Sequence, residues 1–183
     1  LMLEPGHRPV CIPEDFFGPG LPYQDLWLSP QHKVVVGGWQ TELLFQQREV
    51  FVAAKHVADA TGEATGPDRG RVAQGVEYFH LLFDRHEVVM SNGLPSESLF
   101  TGDVAVASLT PQARAELDRM LADEGRDRAG FGPSARMALS AREARALVWY
   151  MGLNDFDTGW GTPIGGIPRH GAAKPQRILA KTA

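Results

Sequence analysis

The chain has a single cysteine, Cys11, among 183 residues. It can therefore form neither an internal disulfide nor a cysteine-built zinc site. Long apolar runs are missing too: stretches such as Val34-Val35-Val36 are only a few residues long, far from the roughly 20 needed to span a bilayer. No membrane partner is expected. Basic clusters are absent, with 18 Lys and Arg scattered singly against 22 Asp and Glu for a net charge of -4, so no nucleic-acid partner is expected either. The glycine-rich pieces "FGPG" and "GWGTPIGG" lack the setting of a phosphate loop. There is no G-x-S-x-G elbow and no H-E-x-x-H, which removes the ordinary nucleotide, hydrolase and zinc-protease readings and leaves no cofactor to expect. The opening "LMLEPGHRPV" has no basic region followed by an apolar stretch, so no signal peptide is read there. As written, the chain suits a reducing, cytoplasmic setting.

What is present is a soluble, globular composition, 43% hydrophobic and 22% charged, with enough length for one core plus an appendage. Residues 1–105 read as a β-rich domain of short β-branched and aromatic runs divided by Gly and Pro. Strands are expected at "RPVCI" (8–12), "DLWLS" (25–29) and "HKVVVGG" (32–38), with "FGPGLP" (17–22) reversing the chain. The stretch 40–52 is taken as a strand and hairpin return, and 53–61 as a short helix. Residues 76–93 read as strand, broken near Asp84-Arg85 and closed by Asn92-Gly93, a hairpin dipeptide. Beyond 105 two helices follow. One runs from the cap Thr110 and Pro111 to the stop at Gly125, and the other starts at Ser140 with Glu143 as a capping box. From Gly159 an irregular tail is expected, its last ten or so residues disordered. Residues 106–183 thus form a helical appendage and tail.

Three groups of residues carry candidate chemistry. Ser29 and His32 in "LSPQHK" lie three residues apart across a proline. A hydroxyl and an imidazole so placed can flank one backbone amide, polarise it and protonate its nitrogen. On the residues alone, a plain turn between two strands is the better-supported reading. His80, Asp84 and His86 share one face of a regular strand and offer imidazole and carboxylate ligands for a metal. At roughly 3.3 Å per residue the two histidines would be about 20 Å apart, so only a bend at Asp84-Arg85 would let them share an ion. The plainer alternative there is a solvated charged patch. Cys11, within an apolar strand, is read as a small buried hydrophobe.

Taken in order, "RPVCI", "GPGLPYQDLWLSPQHKVVV" and "VEYFHLLFDRHEVVMSNGLPSESLFTGD" resemble the bacterial Hedgehog/intein-type (Hint) domains over residues 8–105. The resemblance implies a mainly β, horseshoe-shaped fold, here partial. It also implies self-cleavage of the polypeptide, in which the domain's first residue, Cys or Ser, attacks the preceding peptide bond to form a thioester or ester. The substrate would be the chain's own upstream segment. Ser29 and His32 match the family's T/S-x-x-H motif, serine replacing the more usual threonine. His86 matches a histidine near the family's last strand, and Asn92-Gly93 the turn after it. The N-terminal nucleophile block of the family is not found, and Cys11 stands at a strand position. No terminal His-Asn pair follows Asn92-Gly93, so splicing is not expected. The expectation is a Hint domain truncated or degenerate at its N-terminus and inactive as it stands. Its unpaired sheet edge or C-terminal helices offer a surface to a protein partner, and its parent protein, by the same resemblance, is an exported one. The alternative is a non-enzymatic structural or binding module of a larger surface or secreted protein.

Overall fold

A computed structural model describes residues 8–61, 77–102, 106, 109–127, 132–151 and 177–182. The start of the tail expected from Gly159 lies outside these residues.

The central element is a five-stranded sheet in the order β6-β7-β3-β4-β8. It comprises β3 (Lys33–Gly37), β4 (Glu49–Ala53), β6 (Val88–Ser91), β7 (Leu94–Glu97) and β8 (Met137–Ala138). β3 and β4 pair antiparallel in the register Val34↔Val52, Val35↔Phe51 and Val36↔Val50. Side chains alternate across a strand, so this register sorts them into two sets. Val34, Val36, Val50 and Val52 join the main hydrophobic core. Val35, Phe51, Lys33 and Glu97 fall on the opposite face, which is also covered: Val35 and Phe51 are 2% and 0% exposed. Continuous apolar runs such as "VVV" and "VFV" suit a sheet buried on both faces.

A ribbon of β1 (Val10–Ile12) and β2 (Leu26–Leu28) packs into the same core. Cys11, opposite Trp27, is buried there as a strand residue. The β6–β7 turn is the Asn92-Gly93 hairpin expected from the sequence, with φ of 49° and 84°, the two positive values of a type I′ turn. Its tip docks on the Pro/Gly loop: Asn92 O accepts from Tyr23 N at 2.9 Å. A Cβ on Gly93 would sit 3.0 Å from both Gly20 O and Tyr23 Cδ1.

The stretch 40–52 departs from expectation. It forms helix α1 (Trp39–Phe45) followed directly by β4, not a strand and hairpin return. Gly38, at φ 146°, breaks β3, and the Thr41 hydroxyl donates to Gly38 O at 2.7 Å. The chain leaves the helix through Gln46 in the left-handed region. The short helix expected at 53–61 is α2 (Ala54–Thr61).

α3 (Pro111–Asp123) and α4 (Ala141–Tyr150) carry the caps read from the sequence. Thr110 Oγ1 accepts from Ala113 N, and Ser140 with Glu143 forms the full capping box. α3 ends at Gly125, with Gly125 N bonded to Ala122 O and Arg126 N to Leu121 O, the paired bonds of a Schellman motif. It buries Ala113, Leu117 and Leu121 in a second cluster with Leu82 and Leu99.

The expectation of a mainly β chain is corrected to a mixed α/β one: among the described residues four helices and nine strands hold similar numbers of residues. α4 contributes Ala144, Leu147 and Val148 to the main core, and β8 pairs with β4. Residues from both sides of position 105 thus share one core. The tail expectation is corrected as well: β9 (Arg177–Thr182) pairs antiparallel with β5 (Glu77–Leu82), where β5 offers it an edge to hydrogen-bond. Leu147→Ala, at a side chain 0% exposed in that shared core, is expected to cost about 2–5 kcal/mol in urea unfolding. A change within about 0.5 kcal/mol, as at surface positions, would contradict this packing.

Candidate functional site

Ser29-Pro30-Gln31-His32 is a tight turn, closed by His32 N donating to Ser29 O at 3.0 Å. Proline suits its second position because its fixed φ matches the turn. Two carbonyls of the turn then accept from the start of α2: Ala54 N to His32 O at 2.8 Å and Lys55 N to Pro30 O at 3.0 Å. The first amides of a helix lack partners within it, so the turn and α2 satisfy each other. His32 is thereby fixed at the mouth of β3. The Ser29 hydroxyl has no hydrogen bond among the described residues.

Next to His32, Lys33 carries the contact that organises the site. Glu97, at the end of β7, is 7% exposed. Its carboxylate accepts from Lys33 N at 2.9 Å and from Lys33 Nζ at 3.2 and 3.0 Å. A buried carboxylate is costly unless paired and hydrogen-bonded, and here the backbone and side chain of one residue do both. His86 Nε2 stands 3.5 Å from Glu97 Oε2. That exceeds a normal hydrogen bond, so the pair is an electrostatic contact, and Nε2 otherwise has no hydrogen-bond partner.

The bend at Asp84-Arg85 brings His86 to this place. Arg126, just past α3, holds it by donating to Asp84 Oδ1 at 3.0 Å and to Asp84 O. After the bend, Glu87 N donates to Ser98 Oγ and Ser98 N to Glu87 O, both at 2.9 Å. The His86 ring lies between Phe51 and Phe100, with ring centroids 5.1 and 4.7 Å away. Its Nδ1 accepts from Ala135 N at 3.2 Å.

The charges act on one another. Burial lowers the His32 pKa below its ordinary value of 6.5; Glu97 opposes this, and Lys33 and His86 add to it. His32 is therefore neutral near pH 7, and its Nε2 is sealed from solvent with no hydrogen-bond partner. Burial alone would raise the Glu97 carboxyl, but His86, Lys33 and His32 together outweigh it and hold the group below its ordinary 4.5.

The structure thus joins His32 and His86 into one electrostatic group with two residues the sequence reading did not single out, Lys33 and Glu97. Glu97 lies in "LPSE", which reads as polar and yet is buried throughout; only its place on a covered face reveals it. Ser134 and Ala135 carried no local signal at all. His80, Asp84 and His86 are not brought together. β5 ends at Leu82, the 73% exposed Asp84 carboxylate pairs with Arg126, and His86 is 3% exposed. The expectation of a solvated patch around His86 is corrected, since the bend turns the ring inward between two phenylalanines. Among the described residues no group of three or more His, Cys, Asp or Glu is arranged to hold a metal.

Both lowered pKa values make the unfolded chain bind protons first as pH falls, so stability falls with pH. The His32 contribution is complete above its unfolded value of 6.5 and is lost as pH falls toward the folded one. The Glu97 contribution is lost below 4.5. Urea midpoints are expected to drop between pH 7 and 5, and His32→Gln is expected to flatten that part of the profile. An unchanged slope in the variant would contradict the assignment.

Comparison with known proteins gives a family match. The family model described as the Hint domain covers residues 1–103. No curated protein and no solved structure matches the chain. The matched span includes the turn at His32, the bend at His86 and Glu97. Since it covers more than half of the sequence, the chain belongs to the Hint domain family.

Proposed function

We propose that His32, with Ser29, Lys33, His86 and Glu97, is the proton-transfer part of a self-cleaving domain whose substrate is its own polypeptide. The observation that carries this reading is the half-buried, neutral His32 with a sealed and unpartnered Nε2, at the end of a Ser-x-x-His turn in a Hint domain.

The chemistry asks for such a group. A thiol or hydroxyl attacks the carbonyl carbon of the peptide bond before it, the C–N bond breaks, and a thioester or ester replaces the amide; water then attacks that thioester or ester, releasing the upstream segment as a carboxylic acid and restoring the thiol or hydroxyl. The amide nitrogen leaves as an amine and needs a proton. A neutral imidazole has a lone pair to take the proton of the attacking group. Once charged, it is made more acidic by the burial that lowered its pKa, and it returns that proton to the leaving nitrogen. Ser29 is assigned the hydrogen bond that polarises the same amide. The attacking residue is not among the described ones: Cys11 is buried in β1. The 183-residue chain alone is accordingly proposed to be inactive, with its nucleophile supplied by a preceding segment.

A second, non-enzymatic reading as a binding module has one observation in its favour. Trp39, Leu43, Trp149 and Tyr150 on α1 and α4 are 62, 61, 71 and 44% exposed, with the rings of Trp39 and Tyr150 5.7 Å apart. Such side chains are enriched where proteins meet.

The test is expression from the whole open reading frame, followed by intact-mass spectrometry. Self-cleavage is expected there and not in the 183-residue chain. His32→Ala is expected to slow it by roughly 10²–10⁴-fold, the usual contribution of a general acid–base group. Cleavage at an unchanged rate in His32→Ala would remove the role given to His32. An uncleaved parent would leave the binding module as the better reading.

A further inference from the structure

His86 occupies a family motif position, yet its surroundings shut the ring off from a substrate. Phe51 and Phe100 pack against the ring, and the side chain is 0% exposed. Nδ1 accepts from Ala135 N at 3.2 Å. Ser134 Oγ is also 3.2 Å from Nδ1, but that hydroxyl gives its proton to Arg136 O at 2.7 Å. With Nδ1 accepting, the neutral ring carries its proton on Nε2, which faces Glu97. The other tautomer would set Nδ1–H against the Ala135 N–H and the Nε2 lone pair against the carboxylate, which is two repulsions in a buried place.

The Ala135 amide is itself firmly held. Arg136 pairs with Glu49 at 2.7 Å and donates to Ala135 O at 2.8 Å. Beyond it, β8 pairs with β4 in the register Val50↔Met137, and Leu139 N donates to Phe51 O at 2.9 Å. β4 therefore places both the amide that fixes the ring and the phenylalanine that stacks on it. All of these partners in 134–139 lie beyond the family match, which ends at residue 103.

We infer that His86 is a positioning residue, held in its Nε2–H tautomer by the Ala135 amide, that acts on the site only through Glu97, and that the segment 134–136 therefore completes the site. Glu97 transmits the effect because the same carboxylate holds Lys33 N, the backbone position next to His32. The inference rests on the reading of the site proposed above and deepens it by assigning His86 no contact with the scissile peptide.

Two measurements on the uncleaved 183-residue chain test it. Long-range proton–nitrogen NMR of the labelled His86 ring is expected to show the Nε2–H tautomer alone, and Ala135→Pro, which deletes the donor, is expected to mix the two. An Nδ1–H or averaged ring in the unaltered chain would overturn the inference, whether or not Ala135→Pro folds. Carbon-detected titration of the Glu97 carboxyl reads the second link. His86→Gln keeps an N–H where Nε2–H stands and is expected to leave the titration low. His86→Phe keeps the aromatic stack without the donor and is expected to move it up toward the ordinary carboxylate range. No movement in His86→Phe would sink the link through Glu97. Neither readout involves cleavage, so a parent that fails to cleave and a His86 that fails to position Glu97 are separate results.

Discussion

The site depends on one buried carboxylate. Glu97 lies on the covered face of the sheet, where a lone charge would be strongly disfavoured, and its place is tenable because Lys33 meets it with both backbone and side chain. This contact ties the end of β7 to the start of β3. His32 stands at that start, and His86 is directed at the other side of the same group. Three segments distant in sequence are thus held in one electrostatic arrangement by a group that must remain ionised to hold them.

The fold serves this arrangement by separating two tasks across the sheet. The face with Val34, Val36, Val50 and Val52 packs on α2, α4 and the β1–β2 ribbon and supplies hydrophobic stabilisation. The opposite face carries Lys33, Glu97 and the Phe51–His86–Phe100 stack. A one-residue slip between β3 and β7 would exchange the two sets, burying Lys33 among valines. The same register that forms the core therefore orients the site, and α4, beyond the family match, belongs to it because it covers the core face.

Features governed by neighbours a few residues apart were legible in the sequence. The Ser29–His32 turn, the Asn92-Gly93 hairpin and the capped starts of α3 and α4 are of this kind, since each depends on bonds within three or four positions. α1 was not legible, because "WQTELLF" mixes preferences and becomes a helix after the break at Gly38, whose carbonyl accepts from the Thr41 hydroxyl. β9 was not legible either, because its strand form comes with pairing to β5. The importance of Glu97 and Ala135 was hidden by distance: they meet Lys33 and His86 across 64 and 49 positions.

By itself, then, the sequence determined the local turns and caps, the Ser-x-x-His candidate and membership of the Hint family, all of which reside in residue identity and short spacing. Tertiary structure decided which ionisable groups are removed from water and which of them face one another. Burial neutralises His32, keeps Glu97 charged only in company, and turns His86 from a solvated strand residue into a ring whose Nδ1 accepts from Ala135 and whose Nε2 faces Glu97. Desolvation and pairing depend on where the chain returns, and no short stretch of sequence contains that information.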